Sequence, residues 1–334
     1  MAQQYTYGID FGTCNSVIEV FDHGQNAVLD VAGHFENALE SSIYFPQGET
    51  TGYSLGNEAL QNYLGTDLKG RFIKSLKSAL SAPFLNEITI HGKRFELVKL
   101  VSFFLSELKQ RADSHLGANV DRVILGRPAR FSADPMEDQV AEQRLVKAAR
   151  QAGFRDIRLL QEPIAAAVAF QAFSNTDEQI LIGDIGAGTS DFALIQSEKA
   201  LANLFDKHAI QTAGVKRGGD DFDAQVMWEH IVAHFGYGSE YESYQRLLPI
   251  PSHIFWNLCY WEKLSLVNKK DLLKSLQKFH HTTPDNAKIG RLIHLMEENL
   301  GFQQERRDLI AKNELARARV EATLQRLRSM EAAS

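Results

Sequence analysis

The chain has 334 residues, 44% of them hydrophobic and 23% charged, with a net charge of −6 and a pI of about 6.0. That apolar content excludes a disordered chain, and the acidic balance argues against a nucleic-acid partner gripped by a basic face. Cys14 and Cys259 cannot make a disulfide framework, no apolar run is long enough for a membrane-spanning helix, and MAQQYTYGIDFG has no basic-then-apolar leader, so a cytoplasmic location and no membrane partner are expected.

At roughly 100–200 residues per domain, two lobes are the default expectation. Tyr5–Phe11, Ser16–Phe21 and Ala27–Val31 are β-rich runs broken by Gly12 and by the turn at His23-Gly24. Residues 33–95 are mixed and polar. Leu97, Leu100, Val101, Phe104, Leu105 and Leu108 repeat at helical spacing and predict a helix over 97–114. Val123–Leu125 reads as a short buried strand, Gln139–Ala152 as an amphipathic helix closed by Gly153, and Ile157–Leu160 as another strand. Pro163 then opens an alanine-rich helix, and the polar stretch 174–178 marks a lobe boundary. Beyond it the pattern restarts with strands at Ile180–Asp184 and Asp191–Ile195 around Gly186–Gly188. From about residue 226 the chain turns helical and aromatic, with Cys259 expected in the core and His280-His281 in a polar loop. Residues 302–334 read as one long charged helix, with Val320, Leu324 and Leu327 along one face.

The restart is a repeat in form. YGIDFGTCNSVIEV at 7–20 parallels IGDIGAGTSDFALI at 182–195, and Asp10/Asp184, Gly12/Gly186 and Ser16/Ser190 share one offset of 174 residues. Taken alone, Asp10–Ser16 supports two readings, a structural turn or a glycine turn whose N–H groups hold an anion. Two such hairpins facing one another would grip an anion from both sides, with two carboxylates able to hold hydrated Mg²⁺. No P-loop run and no G-x-G-x-x-G after a strand is present, which disfavours those two nucleotide-binding classes.

GIDFGTCNS (8–16), VILGRPARF (123–131) with LLQEPIAAAVAF (159–170), GDIGAGTSD (183–191) and GVKRGGDDFD (214–223) occur in that chain order. Together they resemble the actin, sugar-kinase and heat-shock-chaperone ATPases, most closely the nucleotide-binding domain of the DnaK-like chaperones, in particular their short bacterial YegD-type members. The resemblance covers about residues 5–225. It implies an α/β fold of duplicated ribonuclease-H-like, actin-like ATPase lobes around a central nucleotide cleft. The lobes would span 1–172 and 173–301, followed by a C-terminal helix at 302–334. ATP or ADP with Mg is the implied cofactor set, and slow hydrolysis the implied activity.

The resemblance also assigns roles. Asp10 and Asp184 would hold Mg through water. Gly12, Thr13, Cys14 and Asn15 would line the phosphates from one side, and Gly186, Ala187, Gly188 and Thr189 from the other. Lys74 would face the γ-phosphate, with a solvated surface lysine as its plain alternative. Glu162 would orient the attacking water, or is a glutamate favoured at a helix N-terminus. Asp191 acts near that water or ends a strand. Gly218 and Gly219 allow close backbone approach to the nucleotide or form a plain turn. Pro128 is placed at the lobe hinge. Cys14 has a further reading as an activated thiol.

The chain departs from the family pattern in two respects. After Gly219 only the isolated Gly236, Gly238, Gly290 and Gly301 follow, so the late glycine-rich adenosine motif is missing, and no β-rich substrate-binding domain follows. Glu40 also replaces a usual proline. The leading expectation is therefore a weak Mg-dependent ATPase with a protein partner docked through the helical C-terminal region. The alternatives are a nucleotide-sensing or catalytically dead scaffold, and a small-metabolite kinase.

Overall fold

The computed structural model describes residues 4–29, 37–66, 69–171, 180–195, 210–260, 263, 269–283 and 286–297. The lobe boundary expected at 174–178 and the helix expected at 302–334 lie outside the described residues.

The first half is built on a six-stranded mixed sheet. β1 (Tyr5–Phe11) pairs antiparallel with β2 (Asn15–Asp22), which pairs with both β3 (Ala27–Leu29) and β4 (Ala38–Glu40). On its other side β1 runs parallel to β10 (Arg122–Arg127), and β10 parallel to β11 (Asp156–Gln161). Alternation along β1 sends Tyr7, Ile9 and Phe11 to one face, where they join Val20, Val123 and Leu125 in a single core. That core takes the apolar stripes of α3 (Leu97–Leu116) and α4 (Pro135–Gln151).

The helices end where their local chemistry stops them. Gly117 closes α3 in a left-handed conformation at φ +62°. Asp134 caps α4 by accepting from the Met136 and Glu137 N–H groups, and Pro135 occupies its first turn. Tyr7 Oη donates to Asp113 of α3 at 2.8 Å, tying the sheet to the helix.

The stretch expected to be mixed has its own small elements. β5 (Ser42–Phe45) pairs with β6 (Ser54–Leu55) and β7 (Arg71–Lys74), flanked by α1 (Gly56–Gly65) and a short turn of helix, α2 (Leu76–Ala79). A hairpin of β8 (Glu87–Ile90) and β9 (Lys93–Glu96) leads into α3.

α5 (Glu162–Gln171) leaves β11 and carries the chain to the second half. There β12 (Ile180–Ile185), β13 (Ser190–Ile195) and β14 (Gln211–Val215) form an antiparallel sheet. Ile164 and Ala167 of α5 pack with Ala193, Ile195 and Ile210 beneath it. The hairpin and third strand of the first half are thus repeated, while β10 and β11 have no parallel counterpart among the described residues. A C-terminal region follows: α6 (Gly219–Val226), a π-turn and a 3₁₀ turn, the hairpin of β15 (Glu240–Ser243) and β16 (Arg246–Pro249), α7 (Ser252–Leu258), α8 (Lys269–Thr282) and a helix over 287–297. Phe255, Leu276 and Ile289 form its core with Trp228 and Tyr237, and Cys259 is buried among them.

Candidate functional site

The two glycine hairpins share one register. Asp10 lies opposite Val17 and Phe11 opposite Ser16, while Asp184 lies opposite Asp191 and Ile185 opposite Ser190. The offset of 174 therefore holds on both strands of each hairpin, and each turn spans four residues, 12–15 and 186–189.

Each turn is backed by donors from a later segment. Ser41 donates its hydroxyl to the Gly12 carbonyl at 2.8 Å and its N–H to the Cys14 carbonyl at 2.7 Å. In the second hairpin the Gly219 N–H donates to the Gly186 carbonyl at 3.0 Å, and the Asp220 N–H to the Ala187 carbonyl at 2.9 Å. A trans peptide points its C=O and N–H in opposite directions, so these bonds turn the N–H groups of Thr13, Ala187 and Gly188 away from the backing segments. Such arrays of turned-out N–H groups are anion-binding concavities.

The turns meet. A methyl group added at Gly188 would come within 2.7 Å of Ser78 Oγ and 3.0 Å of Thr13 Oγ1. Gly188 is therefore a glycine because the first hairpin and α2 stand against it. Gly218 is one because its Cβ would fall 2.5 Å from the Ala187 carbonyl oxygen. Gly218 and Gly219 thus stand behind the second turn and hold its shape.

The acidic pocket between the hairpins centres on Lys77. Its Nζ is 2.7 Å from Glu162 Oε1, and both side chains are buried. Burial first, and then the negative charges of Asp10 and Asp184, lift the Glu162 carboxyl to about 7 against the pull of Lys77. Asp10 reaches water from the cleft but has protein mass around it. Burial raises its pKa, Lys77 opposes that, and Asp184 adds to it. Asp191 is buried and also raised by burial, with the Thr189 side chain and the Ala129 N–H, 2.8 Å from Oδ1, holding its charged form. One lysine thus faces several carboxylates, and the surplus negative charge calls for a cation. Among the described residues no group of three or more His, Cys, Asp and Glu could hold a metal. Asp10 and Asp184, near enough that one raises the pKa of the other, suit a hydrated Mg²⁺ completed by waters and phosphate oxygens.

Asp10, Thr13, Glu162, Asp184, Gly188, Thr189 and Asp191 are gathered here. Lys74 is not. It ends β7 and lies 3.6 Å from Glu40, behind the first turn. Ser75 then takes a left-handed conformation at φ +62°, and the helical turn after it delivers Lys77 to Glu162. The signal was a second lysine three residues on in IKSLKSA. Cys14 has its thiol pushed up by burial more than Lys74 lowers it, which argues against an activated thiol. Pro128 follows Arg127, a buried guanidinium bonded to Asp138, to Glu142 and to the Pro128 carbonyl, so the segment carrying Ala129 is fixed. Ser41, Ser78 and Lys77 went unrecognised from sequence.

A pair of glycine hairpins converging on one acidic pocket, beside a central mixed sheet, is consistent with an actin-like ATPase fold. Over residues 6–246 the chain matches the family described as Hsp70 protein. That stretch is well over half of the sequence, and the chain belongs to the Hsp70 family. Membership brings an ATP-binding, chaperone-like function.

Proposed function

We propose that the protein binds Mg·ATP between its two glycine hairpins and hydrolyses it slowly. The observation that carries this reading is the closure of Gly188 on Thr13 and Ser78 above the pocket of Asp10, Asp184, Lys77 and Glu162. Asp10 and Asp184 would hold Mg²⁺ through water, and the metal would neutralise phosphate charge. The turned-out N–H groups of Thr13, Ala187 and Gly188 would bind phosphate oxygens. Lys77 would stabilise charge that builds on the transferring group, a task for a positioned donor in a water-poor site. Glu162, with its pKa near neutrality, is suited to orient a water and take its proton. Asp191, held by Ala129, would fix the second hairpin against the hinge.

The finer reading is a short, YegD-type member of the cytoplasm. Its lobes would span 1–172 and 173–301, followed by a separate 302–334 segment. The experiment is calorimetry with Mg·ATP on the wild type and on Asp10→Asn and Asp184→Asn, with phosphate release followed in parallel. Binding and turnover in the wild type, with turnover lost in both variants while the fold is kept, support it. Normal turnover in either variant overturns it.

A scaffold that has lost turnover is the second reading. It is favoured by the open face of the second sheet, where Leu181 and Ile185 are 68% and 65% exposed. No heat and no thermal shift with Mg·ATP would establish it in place of the first.

A further inference from the structure

The halves of the molecule touch on two sides of the cleft. On the buried side Asp191 accepts from the Ala129 N–H, and Gly214 of β14 brings its backbone against Ala129 and Arg130. On the solvent side Lys216, the residue after β14, crosses to the first half. Its Nζ donates to the Ser78 carbonyl and to Ser81 Oγ, each at 3.1 Å. Ser78 is also the residue whose hydroxyl stands against Gly188. One exposed ammonium therefore spans the outer edge of the gap between the two turns.

We propose that Lys216 is a clasp across the mouth of the cleft, whose bonds to Ser78 and Ser81 must break before a nucleotide enters or leaves. This rests on the nucleotide-cleft reading and adds a positioning residue, within the GVKRGGDDFD stretch, to which no role had been assigned. The two contacts differ in kind. The Asp191 carboxylate is out of water, so breaking its bond leaves a buried charge short of a donor. Lys216 exchanges its protein acceptors for water, so its bonds cost less to break than that of the buried carboxylate. Separation of the halves therefore pivots on the Asp191 side and opens on the Lys216 side. Lys216 makes its bonds outside the acidic pocket, so it governs opening and leaves the hydrolytic step alone.

The test uses the full chain with Lys216→Ala, Lys216→Arg and Ser81→Ala. A fluorescent N-methylanthraniloyl-ADP with Mg is the probe, its release timed by chase with excess ATP. Lys216→Ala should release it about three- to tenfold faster, with single-turnover hydrolysis unchanged. Ser81→Ala should do so less, its effect should vanish in the Lys216→Ala background, and Lys216→Arg should restore slow release. A second readout needs no nucleotide: amide hydrogen exchange over residues 76–82 and 186–190 should speed up in Lys216→Ala. Unchanged release in a protein that binds the probe overturns the clasp. So does slower association with unchanged release, which would make Lys216 a steering charge, and so does unchanged exchange. A wild type that does not bind the probe refutes the nucleotide reading instead, and the exchange comparison then decides the clasp by itself.

Discussion

The two hairpins carry the same motif in the same register, yet their surroundings are unlike. The first lies in a six-stranded sheet whose apolar face is sealed by α3 and α4, with Tyr7, Phe11 and Phe104 wholly buried. The second lies in three strands over a small core of Ile164, Ala167, Ala193, Ile195 and Ile210, and its other face leaves Leu181, Ile185, Phe192 and Val215 exposed. The turns differ too. A Cβ at Gly12 would fall 2.1 Å from the Asn15 carbonyl oxygen, whereas one at the equivalent Gly186 would meet only Thr189 O at an ordinary 3.5 Å. A shared motif thus fixes the hairpin register, while the shape of the turn and the layers around it differ between the two copies.

The sharpest test of the pocket compares Lys77 with Lys74. Lys77→Ala strands Glu162 without its buried partner, and the loss should be about 3–5 kcal/mol in urea unfolding. Losing one positioned charge donor should also reduce ATP turnover by about 10²–10³-fold. Lys74→Ala should leave phosphate release within about twofold, because Lys74 makes only a loose 3.6 Å pair with Glu40 and does not face Glu162. Equal effects would erase the distinction drawn between the two lysines.

The unequal sheets are tested by truncating one phenylalanine in each. Phe104→Ala empties a fully buried site and should cost about 3–5 kcal/mol. Phe192→Ala, on the open face, should stay within about 0.5 kcal/mol, as surface changes do. Comparable losses would mean that the second sheet is covered in solution.

A smaller effect separates the turns. Gly12→Ala forces the first turn to move and should weaken Mg·ATP binding by about tenfold, a difference of about 1.4 kcal/mol by calorimetry. Gly186→Ala meets only ordinary contact and should bind within about twofold of the wild type.

The mildest expectation concerns pH. Glu162 titrates near 7 in the folded state against an ordinary value of 4.5, so the folded protein holds its proton more tightly than the unfolded chain. The stability from that proton is complete below about pH 4.5 and is lost as pH rises through about 7. Unfolding midpoints from pH 5 to pH 8 should therefore fall more steeply for the wild type than for Glu162→Gln. Parallel slopes would show that Glu162 is not the group responsible.

Much of the first half was legible because its signals are local. The helical spacing from Leu97 to Leu108, the cap at Gly153 and the opening at Pro163 depend on neighbours within a turn or two, whereas the Asp134 cap, which starts α4 at Pro135 and not at Gln139, was missed. Residues 33–95 were read only as mixed and polar, because strands as short as Ser42–Phe45 gain their order from pairing with Arg71–Lys74 across intervening chain. Lys77 was missed because the left-handed bend at Ser75 decides which lysine faces inward. Ser41 was missed because its bonds to Gly12 and Cys14 cross to another strand.

By itself the amino-acid sequence determined the repeated hairpins, their acidic ends and their glycines, since a tight turn imposes its residue types within a few positions. Which lysine enters the pocket, which serines back and wall the turns, and which sheet face stays open were decided only by tertiary structure. Those outcomes depend on segments distant in the chain meeting in space, and no local pattern encodes such a meeting.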